Sequence, residues 1–126
     1  MNEIITLLVD DIPEYLDTME MHLPEGCRAV RASSLVEARE QTEAEHPALA
    51  VVDVRLKEED NANHEGLTFL KWIRQNHPLV PVIMISAYRE FEFEAEALAL
   101  GAEYFLKKPI QPDKFRETVA KTMNTL

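Results

Sequence analysis

The sequence predicts an α/β domain in which a five-stranded parallel sheet carries helices on both of its faces. Short runs rich in β-branched residues recur along the chain, and segments with helical periodicity separate them. The run at 49–54 is apolar until Asp53, which is typical of a strand buried on both faces of a parallel sheet. Five such β-α units in 126 residues predict a doubly wound sheet in a single domain, residues 1–126.

Local signals place the elements of the first half. Pro13 in a first helical turn predicts a helix over 13–22, and Pro24-Glu25-Gly26 ends it. Ser34 with Glu37 forms a capping box for a helix that continues to about residue 45, where His46-Pro47 stops it. The strands of this half are predicted at 4–9 and 27–32.

The second half is predicted from the same kinds of signal. After the strand at 49–54, a charged loop over 55–65 is unusually long for an α/β connection. Its acidic run lacks the oxygen alternation of a calcium loop, because Ala62 interrupts it. Segment 90–100 fits a strand or a helix, and the β-α alternation favours a helix that ends at Gly101. The remaining elements are predicted at 67–76 (helix), 80–85 (strand), 104–106 (strand) and 111–124 (helix).

Composition narrows the classes of function. The net charge is −10, which argues against direct binding to nucleic acid or to an anionic membrane. The single cysteine, Cys27, lies in a predicted strand and supports neither a disulfide framework nor a thiolate metal site. No apolar run approaches transmembrane length, and the N-terminus does not resemble a signal peptide, so we expect a cytoplasmic protein.

Polar side chains stand where the predicted strands end. Carboxyl ends of parallel strands share one edge of a sheet, so these side chains should converge there. Two carboxylates about 4 Å apart repel by roughly 4 kcal/mol at an effective dielectric near 20. A divalent cation among them, or one carboxyl that stays protonated, would relieve this repulsion. Oxygen ligands without nearby Cys or His favour Mg²⁺, or Mn²⁺, over zinc. The side chains are Asp10 and Asp11 after the first strand, Asp53 in the third, Ser86 after the fourth, and Lys107 and Lys108 after the fifth.

This order of residues resembles the receiver domain of two-component response regulators, over essentially the whole chain. The resemblance implies a flavodoxin-like (βα)5 fold with strand order 2-1-3-4-5. It implies that Asp53 accepts a phosphoryl group from a histidine kinase or phosphotransfer protein, and that the chain catalyses only its own phosphoryl transfer and dephosphorylation. The implied ligands of Mg²⁺ are Asp10, Asp11, Asp53 and the backbone carbonyl of Arg55. Ser86 would hydrogen-bond the phosphoryl group, and Lys108 would pair with it. The family's lysine directly precedes a proline, here Pro109, and the peptide bond between them is usually cis in that family.

The resemblance also implies an output surface formed by the fourth helix, the fifth strand and the fifth helix. Phosphorylation would change this surface and so control an effector domain, a partner protein or a homodimer. Phe105 matches the aromatic residue that switches in the family. We expect Phe93 to be exposed there, within an acidic rim of Glu90, Glu92 and Glu94.

The sequence departs from the family pattern after Asp53. The loop is about five residues longer than usual, and Lys57 stands where a proline is common. Arg55 is bulky and cationic at a position that modulates attack on the phosphoryl group. Phe105 replaces the tyrosine that often occupies the switch position.

Other functions fit the sequence less well. Taken singly, each strand-end residue fits a helix cap, a turn or a solvated charge. A haloacid dehalogenase-type phosphatase needs a second aspartate two residues after the nucleophile, where this chain has Arg55. A nucleotide- or flavin-binding domain needs a glycine-rich first turn, which is missing. The alternative function is a phosphorylation-independent adaptor receiver, for which an acid or the lysine should be absent.

Overall fold

The computed structural model describes residues 3–57, 63–87 and 91–126, with the backbone alone at 91 and 92. Strands and helices alternate along the described chain. The strands are Ile4–Val9 (β1), Cys27–Ala32 (β2), Leu49–Asp53 (β3), Val82–Ser86 (β4) and Tyr104–Lys107 (β5). The helices are Pro13–Met21 (α1), Leu35–Glu45 (α2), Glu65–Asn76 (α3), Phe91–Ala99 (α4) and Pro112–Met123 (α5).

The five strands form one sheet in which every neighbouring pair is parallel. Their order is β2-β1-β3-β4-β5, so the predicted order is confirmed. The register pairs Val9 with Val52, and Asp53 with Ile85. Because the paired residues lie side by side in the sheet, the residues that follow β1, β3 and β4 lie at the same edge of the sheet.

The helices cover both faces of the sheet, as predicted for a doubly wound fold. On one face, α1 and α5 pack through residues such as Met19 and Phe115. On the other face, α2, α3 and α4 pack through residues such as Ala38, Phe69 and Ala97. Each of these five side chains is at most 1% exposed, so β1, β3 and β4 are enclosed on both sides.

Most predicted boundaries are confirmed within two residues. The Ser34 hydroxyl accepts the Glu37 N–H at 3.1 Å, and the Glu37 carboxylate accepts the N–H of Ser33 rather than that of Ser34. β4 begins at Val82 rather than at residue 80, immediately after Pro81. Proline has no N–H for a sheet ladder, which explains a strand that begins after it.

The ambiguous segment near residue 95 is a helix, α4, so the β-α alternation predicted it correctly. The expectation of an exposed Phe93 was wrong. Phe93 is half-buried against the core, and its ring lies 4.4 Å from the His64 ring, centroid to centroid. The described residues do not include the acidic run at 58–62, for which the sequence argued against a calcium loop. They also leave out the side chains of Glu90 and Glu92.

Among the helices that the structure describes, none combines the length and the apolar character that crossing a membrane requires.

Candidate phosphoacceptor and metal site

Asp53 lies at the centre of the edge where the strands end. It is the last residue of β3, and only 2% of its surface is exposed. The Nζ atom of Lys108 lies 3.2 Å from its Oδ2 atom, and the backbone N–H of Arg55 also donates to its carboxylate. The Asp53 carboxylate is therefore buried at this edge of the sheet with the Lys108 ammonium on one side of it.

Lys108 links the two buried acids of the site. Its Nζ atom lies 2.9 Å from Oδ2 of Asp10 and 3.2 Å from Oδ2 of Asp53. Its side chain is 2% exposed, whereas its neighbour Lys107 is exposed. The backbone N–H of Lys108 donates to the Ser86 carbonyl at 2.7 Å, and the bond to Pro109 is cis. The fold therefore brings Lys108, and not Lys107, to the acids.

Asp10 and Asp11 follow β1 and complete an acidic cluster with Asp53. Asp10 is fully buried, and its Oδ1 atom accepts the Ile12 N–H at 3.0 Å, which supports the turn into α1. Asp11 is partly buried. One carboxylate oxygen from each of the three aspartates lies within 4.8 Å of the other two. The N-cap of α1 is Ile12, so Asp10 does not cap this helix. Its Oδ1 atom supports the turn before α1, and its Oδ2 atom pairs with Lys108 in the acidic cluster.

The electrostatics of the cluster follow from burial and charge. Burial, and then the negative charge of Asp10, raise the pKa of Asp53 from 3.8 to about 7, although Lys108 and the Arg55 N–H oppose the rise. Burial also raises the pKa of Asp10, against the attraction of Lys108. Burial alone would lower the pKa of Lys108, but Asp53 and Asp10 outweigh it and raise that pKa. The lysine stays charged, and the carboxylates are reluctant to ionise together.

Ser86 and Arg55 are the remaining predicted site residues. Ser86 is the last residue of β4 and is 1% exposed, beside the end of β3. Arg55 is 8% exposed, and its N–H faces the Asp53 carboxylate. The structure therefore places all the predicted site residues at one sheet edge.

The donor set fits a magnesium ion. Two ligand oxygens at about 2.1 Å from one ion are at most about 4.2 Å apart. The three carboxylate oxygens already lie within 4.8 Å of one another, so a small contraction brings them to one ion. The cluster is acidic and offers oxygen ligands, which is the chemistry that Mg²⁺ and Mn²⁺ prefer.

Two residues of this region were missed in the sequence. Tyr15, predicted as part of the apolar face of α1, places its ring 3.7 Å from the Lys108 Nζ atom, in a cation–π contact. Asn63 is 8% exposed and hydrogen-bonds the backbone on both sides of the long loop. Its only sequence signal was an asparagine two residues before the helix that begins at Glu65, a common turn pattern.

Gly66 joins α3 to the end of β3 at very close range. A Cβ atom at this position would meet the Asp53 carbonyl group and would lie 2.8 Å from the Val54 Cα atom. The Gly66 N–H donates to the Val54 carbonyl at 2.9 Å. Gly66 follows the predicted loop 55–65 and is the second residue of α3, where only glycine fits without a shift of the backbone.

Comparison with known proteins finds a matching family profile and related chains. The family profile described as "Response regulator receiver domain" matches residues 6–120. The response regulator protein PilR of Pseudomonas aeruginosa is 36% identical over 118 residues, which are 93% of this chain and 25% of PilR. The nitrogen assimilation regulatory protein NtrX of Azorhizobium caulinodans is 31% identical over 121 residues, 95% of this chain and 26% of that protein.

Solved structures share the fold over nearly the whole chain. The receiver domain of NtrX from Brucella abortus superposes with a TM-score of 0.86 at 28% identity, covering 96% of this chain and 99% of that one. A CheY-like receiver domain protein from Methanospirillum hungatei covers all of both chains with a TM-score of 0.81 at 25% identity. This chain spans about a quarter to a half of the length of the first curated relatives.

Proposed function

This chain belongs to the response regulator receiver family of two-component signalling, and on that premise we propose that residues 1–126 form a receiver domain whose Asp53 accepts a phosphoryl group. The donor is the phosphohistidine of a sensor histidine kinase or a phosphotransfer protein. The observation that carries the proposal is the buried Asp53 carboxylate with the Lys108 ammonium 3.2 Å from it, inside a cluster of three aspartates.

In the proposed reaction an Asp53 carboxylate oxygen attacks phosphorus. The P–O bond forms as the P–N bond to the donor imidazole breaks. The bonding electron pair stays on that ring nitrogen, and the imidazole, protonated on its other ring nitrogen, leaves as the neutral ring. Attack requires an ionised Asp53, and the pKa of about 7 means that a cation-free site holds much of it protonated near neutral pH. Asp10, Asp11, Asp53 and the Arg55 carbonyl would hold Mg²⁺, which supplies positive charge that favours the ionised acceptor and the transferring phosphoryl group.

Two side chains of the chain act on the phosphoryl group in this proposal. Lys108 pairs with a phosphoryl oxygen, which its position beside Asp53 Oδ2 supports. Ser86 donates its hydroxyl to another, which its burial at the end of β4 supports. The chain catalyses no reaction beyond the gain and the hydrolysis of its own phosphoryl group.

The proposed output is a change in the surface formed by α4, β5 and α5. A cavity of about 380 Å³ opens on this surface, and half-buried Phe105 lines it together with Glu94 and Lys114. A phosphoryl group adds nearly two negative charges, which draw Ser86 and Lys108 toward Asp53 and leave room for Phe105 to turn inward. The surface would then control an effector domain, a partner protein or a homodimer. Two further relatives are each described as a transcriptional regulatory protein: GltR of Pseudomonas aeruginosa, 34% identical over 118 residues, and ZraR of Escherichia coli, 32% identical over 118 residues. Their descriptions support an attached effector as one such target.

A phosphorylation assay tests the acceptor. Purified chain is incubated with phosphoramidate and Mg²⁺, and its intact mass is measured. We expect one phosphoryl adduct on the wild type, none on Asp53→Asn, and an undiminished adduct on Asp113→Asn, whose carboxylate is fully exposed on α5. Equal labelling of Asp53→Asn would refute the assignment, and no labelling of the folded wild type would favour the adaptor function.

A second assay tests the output. Backbone amide shifts are compared with and without beryllofluoride, a phosphoryl mimic. We expect changes that extend from the site through residues 91–110. Changes limited to the neighbourhood of Asp53 would show that the switch does not operate as proposed.

A further inference from the structure

The Asn63 side chain closes the long loop that follows β3. Its Oδ1 atom accepts the Leu56 N–H at 3.0 Å and the Glu65 N–H at 3.0 Å, and its Nδ2 atom donates to Glu65 Oε1 at 3.1 Å. Two N–H donors must face an oxygen, so these bonds fix which end of the carboxamide is which. Asn63 is 8% exposed, and Leu56 is 3% exposed. The side chain therefore ties the turn after β3 to the first turn of α3.

The hydrogen bond to Leu56 also orients its neighbour. The Leu56 N–H and the Arg55 carbonyl belong to one planar peptide group, and in a trans peptide they point in opposite directions. Among the described residues, the Lys108–Pro109 bond is the one that is cis. Holding the Leu56 N–H on Asn63 therefore also fixes the direction of the Arg55 carbonyl.

The peptide group on the other side of Arg55 is held as well, because the Arg55 N–H donates to the Asp53 carboxylate. We propose that Asn63 is a positioning residue, which orients the Arg55 carbonyl as a ligand for the divalent cation held by the three aspartates. The proposal rests on the metal site of the proposed function and deepens it.

The main competing explanation is that Asn63 only stabilises the loop. Leu56 is buried, and the Gly66 N–H is bonded to the Val54 carbonyl, so other contacts also hold this region. A residue that only stabilises the loop changes the melting temperature without changing the metal affinity of the folded chain. A residue that positions a ligand changes that affinity.

The experiment measures metal affinity and stability separately. Binding of Mn²⁺ is followed at 25 °C by the loss of the free-ion EPR signal, and melting is recorded in EDTA. We expect Asn63→Ala to raise the Kd by about tenfold or more, as is typical when a group that orients a metal ligand is removed. Asn63→Asp combined with Glu65→Gln keeps an oxygen for both N–H donors, restores a donor opposite that oxygen and leaves the net charge unchanged, so this double variant should recover most of the loss. Asn76→Ala is the matched control, because Asn76 bonds only the Trp72 carbonyl at the far end of α3 in the described structure.

A lower melting temperature of Asn63→Ala with an unchanged Kd would overturn the proposal and leave the metal site intact. A folded wild type that binds no Mn²⁺ would overturn the metal site and the proposal together. A further measurement needs no variant. When Mg²⁺ is added to ¹³C,¹⁵N-labelled wild type, the Arg55 carbonyl carbon and the Leu56 amide should shift strongly. If the aspartate signals shift while the Arg55 carbonyl does not, the carbonyl is not a ligand and the proposal fails.

Discussion

Replacing Asp53 by asparagine should stabilise the cation-free chain at alkaline pH. Asparagine has nearly the shape of the aspartate but carries no charge. Burial raises the pKa of Asp53 to about 7, and Asp10 adds to the rise. An acid whose pKa is higher in the folded chain keeps a proton that the unfolded chain has already released. The wild type therefore loses stability as the pH rises from about 4 to about 7, whereas the variant lacks this loss.

The size of the effect follows from the pKa of Asp53. A tenfold difference in proton affinity between the folded and the unfolded chain is worth about 1.4 kcal/mol. A pKa that rises from 3.8 to about 7 makes ionisation in the folded chain cost about 4 kcal/mol. We therefore expect Asp53→Asn to be more stable by up to about 4 kcal/mol at pH 8.5, and by about 2 kcal/mol at pH 5.

Urea denaturation in EDTA at these two pH values measures the difference directly. Asp113→Asn, which removes an exposed carboxylate, should match the wild type within about 0.5 kcal/mol at both. Millimolar Mg²⁺ should narrow the difference in stability between wild type and Asp53→Asn, since in the proposed metal site it would bind the ionised cluster. If the two unfold at the same urea concentration at pH 8.5 in EDTA, ionisation of Asp53 is not costly, and the electrostatic account of the site is wrong.

Three further changes test other contacts of the site. Mg²⁺ at ten times its Kd should stabilise the wild type by about 1.4 kcal/mol in a thermal melt, and Asp11→Ala should remove most of this gain; equal gains would exclude Asp11 as a ligand. Gly66→Ala should lower the free energy of unfolding, measured in urea, by about 3 kcal/mol, because its Cβ would lie 2.8 Å from the Val54 Cα atom. A loss below about 1 kcal/mol would show that the backbone between β3 and α3 shifts to accept the methyl group. Tyr15→Leu should have a free energy of unfolding about 1 kcal/mol lower than Tyr15→Phe, which keeps a ring over Lys108. Equal free energies of unfolding would mean that the cation–π contact does not stabilise the fold.

The fold could be predicted because the apolar runs, the cap and turn signals and the β-α alternation all indicate the same architecture. β3 is buried at every position, as the apolar run that precedes Asp53 indicated. Segment 90–100 had no decisive local signal, yet the alternation of strands and helices predicted α4 correctly. The topology then predicted that Asp53 lies beside the other strand-end residues, since parallel strands bring their carboxyl ends together.

What the sequence did not predict depends on contacts between distant residues. Phe93 lies on α4, and its ring packs beside His64, which immediately precedes α3 and lies 29 positions away in the chain. Tyr15 fitted the apolar face of α1, but that face ends over Lys108, which is 93 positions away in the chain. Helical periodicity identifies a buried face without naming its partner. The choice of Lys108 over Lys107 likewise came from the family resemblance, because both lysines follow the same strand.

The position of Lys108 relates the repulsion between the buried aspartates to the proposed response to phosphorylation. One ammonium lies 2.9 Å from Asp10 and 3.2 Å from Asp53, so it offsets part of the repulsion between two buried carboxylates. In the proposed reaction a phosphoryl group on Asp53 carries nearly two negative charges, while a divalent cation takes over the charge of Asp10. The balance of attraction on Lys108 then moves from Asp10 toward the phosphoryl group. Lys108 directly follows β5, whose Phe105 lines the cavity on the α4-β5-α5 surface. Movement of Lys108 toward the phosphoryl group would therefore act first on β5, which is part of the proposed output surface.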